Sequence, residues 1–380
     1  MAIKLRQAIT NNFVNIPGWH TRRRIVVIES DDWGALRMPS RETYDRMIAE
    51  GIRVHREPYC RFDGLETASD LEALYDVLKS VSGSNGRHPV ITADAVVANP
   101  DFGKIRESGF AEYHYEPVTD TFARSARHEG AWEMWRQGMD GGLIHPQFHG
   151  REHLNVKKWM EALNGDDVIT RRAFDFGTFG LTSDVDSRIR TNYMGAYNSA
   201  LPEDVSSYGK ILAEGLDLFE QIFGFRSQSF IATTYTWPCE IEPFLSKGGV
   251  RYLQGMVSQC VPLDDDRTFK YRNSNFAGRR SPNGLTYLMR NAYFEPSQHP
   301  GRDWVGDCLR RIEIAFRWHK PATISAHRLN FIGSIDPMNT SRNLPMFKTL
   351  LQTIVRRWPD VEFMTSDELG KLMCNDKDKD

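Results

Sequence analysis

Three histidines at four-residue intervals, His145-Pro-Gln-Phe-His149-Gly-Arg-Glu-His153, stand where a predicted strand hands over to a predicted helix beginning at Val156. If residues 150–153 form the first helical turn, His149 and His153 share one face, and imidazoles at i and i+4 can bind one metal ion. His145 then lies in the strand. The same spacing equally describes polar residues at an exposed strand end. Upstream, Asp31-Asp32 follows the apolar run Ile25-Val-Val-Ile28 through Glu29 and Ser30. Alone, an Asp-Asp pair is as well explained by an N-cap or a surface turn. Together, one Asp and two His supply three ligands with an open position for water, the arrangement of a catalytic zinc, and a neighbouring carboxylate is left free as a base. One Asp and two His also describe the facial triad of non-haem iron oxygenases, so residue types do not select the ion.

Groups so far apart in the chain need a scaffold that gathers strand ends. Strands are predicted at residues 25–28, 89–97, 143–148, 229–234, 251–256, 285–290, 322–326 and 361–364, eight in all. Helical periodicity falls between them at 41–50, 68–81, 131–139, 156–163, 204–223, 241–247, 303–318 and 344–358. Strands spaced by helices imply parallel βαβ units, hence an α/β chain built as a β/α barrel or a doubly wound sheet. Such folds collect catalytic groups at the carboxyl ends of their strands. Four long irregular stretches, 53–66, 112–127, 171–201 and 259–284, are expected to shape a site. The 380 residues are read as one domain over 24–370 with long loop insertions, an N-terminal extension over 1–23, and a charged, disordered tail over 371–380.

With 48 Lys+Arg against 50 Asp+Glu, the chain lacks the global field that holds a nucleic acid or an anionic membrane, so neither is an expected partner. No run of about 18 apolar residues exists and no secretory leader is visible, so no integral membrane segment is expected. Five scattered cysteines without CxxC spacing argue against a disulfide framework and a thiolate metal site, and a cytoplasmic location is expected.

The motifs resemble those of the NodB-type polysaccharide deacetylases of carbohydrate esterase family four. Ile28-Glu-Ser-Asp31-Asp32-Trp-Gly34 is similar to the family's first motif, and by that resemblance Asp31 is the general base and Asp32 a metal ligand. His149-Gly-Arg-Glu-His153 is similar to the second, which makes both histidines ligands. Gly224-Phe-Arg226 before the strand at Ser229 resembles the third, in which an Arg orients the base, without the Pro and Gly that normally follow. Ile324-Ser-Ala-His327 resembles the last, whose His is the general acid. The Asp-rich fourth motif has no counterpart between Val250 and Leu288. The resemblance implies a distorted seven-stranded (β/α) barrel and a divalent metal, zinc by default. It implies removal of an N- or O-linked acetyl group from a carbohydrate, in surface polysaccharide biosynthesis. The competing classes are another hydrolase on the same barrel, a glycosidase or a small-amide amidohydrolase, and a non-catalytic carbohydrate-binding relative.

Four further residues are candidates for substrate contact. Asp94 could reach the metal or substrate or cap a turn. His145 could support the site or sit satisfied in the core. Tyr235 and Trp237 could stack on a sugar ring or pack beside Pro238. The basic run Arg22–Arg24 reads as a solvated edge.

Overall fold

The structure, a computed structural model, describes residues 9–189, 193–263 and 268–377. Its strands are β1 (Ile25–Trp33), β2 (Ile91–Val96), β3 (Ala98–Pro100), β4 (Tyr115–Pro117), β5 (Ile144–Gly150), β6 (Ser229–Phe230) and β7 (Tyr252–Gly255). Then come β8 (Ser258–Pro262), β9 (Phe269–Asn273), β10 (Thr286–Met289), β11 (Ala292–Tyr293), β12 (Ala322–His327) and β13 (Glu362–Met364). Nine of them make one sheet in the order β10-β7-β6-β5-β2-β1-β12-β11, with β13 also on β1. All its ladders are parallel. Helices lie between most of these strands, as the alternating pattern requires. The α/β fold with a curled parallel sheet is as expected, and the sheet holds nine strands, the eight apolar runs and one more. Ala292–Tyr293 had no sequence signal of its own, because two residues are too few to show a period.

The sheet curls until its edges meet. The edge strands β10 and β11 are separated in sequence only by Arg290 and Asn291, so the chain pairs first with β7 and then, past those two residues, with β12. Arg290 thus stands at the seam of the curled sheet.

All nine residues of β1 are buried, and they alternate as a strand must. Val26 and Ile28 belong to the large apolar cluster that also holds Phe148, Phe219, Phe294 and Phe347. Ile25 and Val27 face the other way, against Tyr252, Leu288, Met289 and Met373. Glu29 and Asp31 continue that second face, so the barrel is plugged with apolar side chains below and lined with charge above. The bedding helix Ala68–Lys79 starts on a capping box, Thr67 with Asp70.

Three further expectations change. The HxxxH pair is not helical: β5 runs through His149 to Gly150, whose φ of 122° no helix contains, and the next helix begins only at Val156, capped by Asn155. The strand expected at 229–234 ends at Phe230, and the chain turns over Thr233–Tyr235 instead. The last helix, Ser366–Lys377, continues past the boundary expected at 371, because Met373 is buried against the barrel floor; residues 378–380 lie outside the described residues. Residues ahead of β1 are also tied down, with Lys320 Nζ donating to the carbonyls of Pro17 and Trp19.

Arg290 has no exposure and is the only guanidinium bonded to Glu29, Asp31 and Asp94 among the described residues. Removing one partner from a buried ion cluster leaves charge uncompensated. Arg290→Met is therefore expected to lower unfolding free energy by about 3–5 kcal/mol in urea titrations, while Arg226→Ala, at a half-exposed surface pair, should stay within about 1 kcal/mol.

Candidate active site

Adjacent residues of a strand normally face opposite sides, yet the carboxylates of both Asp31 and Asp32 line one cavity of about 470 Å³. The pairing of β1 with β2 shifts register between Ser30 and Trp33, and Asp32 has φ 75°. That bulge and left-handed residue turn Asp32 back toward the side that Asp31 already faces. Gly34 follows at φ 78°, where a Cβ would lie 2.9 Å from the Val96 carbonyl oxygen. A second irregularity, between Ala95 and Val96 of β2, leaves His149 as the extra residue of β5. Both bulges sit where chemistry-bearing side chains must be re-aimed.

The three ligand candidates converge. His149 Nε2 is 3.4 Å and His153 Nε2 3.2 Å from Asp32 Oδ1, all nearly devoid of exposure. His149 Nδ1 donates to the Ile231 carbonyl at 2.9 Å, which fixes the proton there and leaves the Nε2 lone pair for a ligand. Burial, and then Arg37, push His153 down to about 4, so its imidazole is neutral at pH 7. Burial opposes ionisation of Asp32, but Arg37 and His153 hold it well below the ordinary carboxylate range. Asp32 Oδ2 and His149 Nε2 are buried without a hydrogen-bond partner. One carboxylate, two imidazoles and orphaned acceptors among them are the donor set a divalent cation requires, so the residues fit a metal.

Asp31 is held apart from that cluster. Arg290 donates to Oδ1 from Nη2 at 2.6 Å and to Oδ2 from Nη1 at 2.7 Å, a fork-on-fork pair. Burial works against its charge, and Arg290 overrides burial and keeps the carboxyl below its usual range. Glu29 and Asp94 compete for the same guanidinium less successfully, and burial raises both. The Tyr235 hydroxyl donates to Asp31 Oδ2 at 3.2 Å, from a turn whose Thr234 and Tyr235 both have positive φ.

Opposite stands His327, paired in register with Asp31 at the end of β12, its Nε2 3.7 Å from Asp31 Oδ2. Its Nδ1 bonds Glu295 Oε1 at 2.6 Å, and Glu295 Oε2 accepts from Asn330 and Gln298. Burial alone would depress His327, but Glu295 and then Asp31 outweigh it and raise it to about 9. Glu295 thus supplies the carboxylate for which residues 250–288 offered no candidate.

Of the residues expected from sequence, Asp31, Asp32, His149, His153, Tyr235 and His327 line this cavity. Four do not. Arg226 bonds the Gly248 carbonyl, Asp217 and Glu220 at the end of the long helix Pro202–Phe223, and it is Arg290 that holds Asp31. Asp94 lies beneath the cavity on Arg290 and Gln254. His145, at the start of β5, stacks on Phe225 at 5.1 Å and faces Asp367, far down the strand from His149. Trp237 is a core side chain with its Nε1 toward Glu242. Two of the irregular stretches do line the cavity, through Glu57 and Tyr59 and through Gly180, Thr182, Ser183, Asp184 and Met194. A larger cavity of about 740 Å³ opens at the opposite end, by the starts of β7 and β10, and none of the six lines it.

No family model and no curated protein matches the chain. Among solved structures it is similar to a 4-alpha-glucanotransferase from Thermococcus litoralis, with TM-score 0.46, 9% identity, and 91% of this chain against 40% of that one covered. It is similar to an allantoinase with TM-score 0.46, 10% identity and 93% of each chain covered. It is also similar to a probable polysaccharide deacetylase from Pseudomonas aeruginosa, with TM-score 0.45, 10% identity, and 92% and 91% covered.

The histidine–glutamate pair carries a pH signature. His327 is raised in the fold, so the stability it contributes is complete below its unfolded value of about 6.5 and is lost as pH climbs through about 9. Glu295→Gln is expected to bring the His327 titration, followed by NMR, down by at least one unit and to shrink the stability lost across that window. An unchanged His327 titration would contradict the pairing.

Proposed function

We propose that the chain is a metal-dependent hydrolase that removes an N- or O-linked acetyl group from a carbohydrate. The observation that carries this reading is the juxtaposition, in one cavity, of a buried Asp–His–His cluster with the Asp31 carboxylate and the His327 imidazole, which lie 3.7 Å apart. A divalent cation held by Asp32, His149 and His153, with zinc the default, would supply Lewis acidity that polarises the acetyl carbonyl and acidifies a water.

Asp31 takes the proton of the attacking water at Oδ2, the oxygen nearest His327. Its Arg290 fork holds the carboxylate in one orientation, so position rather than basicity is what this base offers. His327 gives its proton from Nε2 to the departing nitrogen or oxygen, because Nδ1 is engaged by Glu295. Raised to about 9, it is charged at neutral pH and ready to act as an acid.

The substrate wall supports a hydrogen-bonded ligand rather than a stacked one. The Tyr59 ring carries the Arg37 guanidinium at 4.6 Å over one face and makes a T-shaped contact with His327, so much of it is already engaged. Thr182, Ser183 and Gln298 offer polar groups in its place. Sugar hydroxyls suit such a wall.

Asp31→Asn is expected to keep its metal, by elemental analysis of untagged protein, and to lose about 10²- to 10⁴-fold in acetate release from an acetylated oligosaccharide. His149→Ala and His153→Ala should lose the metal itself, with the fold retained by circular dichroism. His327→Ala should impair an amide or sugar ester far more than an activated aryl acetate, whose phenolate leaves without help. Equal losses on both substrates would make His327 structural, and metal retained in both histidine variants would remove the proposed centre.

A further inference from the structure

Arg37 is mostly buried in the cavity wall, and neither the base nor the acid uses it. Its Nη2 stands 3.2 Å from Asp32 Oδ1 and 3.2 Å from His153 Nε2, on residues that make up two thirds of the ligand cluster. A guanidinium only donates, so a lone pair of His153 is directed at Arg37. On its other side, Nε lies 3.3 Å from Asp63 Oδ2 without the alignment of a hydrogen bond, and both atoms are buried with no hydrogen-bond partner.

Asp63 is rigidly presented. Its Oδ1 accepts from Nε and Nη2 of Arg328, whose remaining bonds go to Glu66 and the Ala35 carbonyl. The backbones of both partners are pinned as well: Thr178 Oγ1 donates to the Arg37 carbonyl, and Met38 N to that of Asp63. The guanidinium therefore has satisfied acceptors on the ligand side and an unfulfilled, mutually facing donor and acceptor on the Asp63 side. Buried groups left so are costly, and a small rotation would satisfy them.

We propose that Arg37 and the bound cation compete for Asp32 and His153, and that Arg37 turns onto Asp63 when the cation binds. The inference rests on the metal reading above. Each lone pair serves one acceptor role at a time, and a dication beside a fixed guanidinium is repelled through a dry medium. Groups around the ligands, and not the ligands alone, set a metal site's affinity. Arg37 consequently sets the affinity below what an Asp–His–His cluster alone would give, and it makes occupancy depend on the free cation level. The Asp63–Arg328 pair is the receptor for the displaced side chain.

The test is Zn²⁺ affinity of full-length, untagged protein by competition with a chromophoric chelator, in wild type, Arg37→Met and Arg37→Gln. Methionine keeps an apolar body over Tyr59, and glutamine keeps a donor without the charge. Both variants are expected to bind Zn²⁺ about 10- to 100-fold tighter, the scale on which groups around ligands tune affinity. After chelator treatment, Arg37→Met should melt below chelator-treated wild type, and added Zn²⁺ should narrow the gap. Affinity unchanged or weaker in both variants, with native circular dichroism, would overturn the role of Arg37 and leave the metal reading standing. Absence of Zn²⁺ binding in wild type and variants alike would overturn both.

Discussion

A guanidinium without exposure, Arg290, lies in the barrel axis among the carboxylates of Glu29, Asp31 and Asp94, and the geometry above it depends on which of the three keeps its charge. Desolvating three acids around one base is unfavourable unless some are neutral, and burial raises Glu29 and Asp94 accordingly. Asp31 alone receives two donors in fork geometry, and it stays ionised. That asymmetry gives two sequence-adjacent carboxylates different surroundings. Asp31 is tied downward to Arg290, while Asp32, reversed by its positive φ, is turned to the imidazoles.

The same device recurs on the other side of the cavity, where Arg328 is buried between Asp63 and Glu66 and presents Asp63 to Arg37. Two buried guanidinium clusters thus flank the site, one under Asp31 and one behind Arg37. Clusters of this kind contribute little net stability compared with apolar packing, and their value lies in fixing orientation. Both depend on the closure of the sheet, because Arg290 comes from the seam between β10 and β11 and Arg328 from the turn directly after β12.

What the sequence reveals follows the distance over which each interaction acts. Ile25–Ile28 announces a doubly buried strand by its own residue types, and the acids and histidines at strand ends announce chemistry by type and local spacing. Arg290 gives no such sign: its partners Glu29 and Asp31 lie 261 and 259 positions away, and only the curled sheet brings them together. A charge ending the apolar run Leu285–Met289 was its one local trace. Glu295 is equally silent, since its role comes from His327 on a neighbouring strand. Arg226 misleads for the converse reason, because Gly-Phe-Arg before a strand fits a motif while the helix end beneath it claims the guanidinium. The spacing of His149 and His153 suggested a helix, and a bulge with a left-handed glycine produces the same convergence without one.

On the proposed function, Asp32, His149 and His153 take the cation while Arg290 keeps Asp31 out. Anomalous diffraction at the zinc edge, from crystals of the protein grown with Zn²⁺, addresses it most directly. One principal peak is expected, about 2.0–2.2 Å from an oxygen of Asp32 and a nitrogen of each histidine, with Asp31 still forked on Arg290. A peak bridging Asp31 and Asp32, or zinc bound only away from these residues, would contradict it.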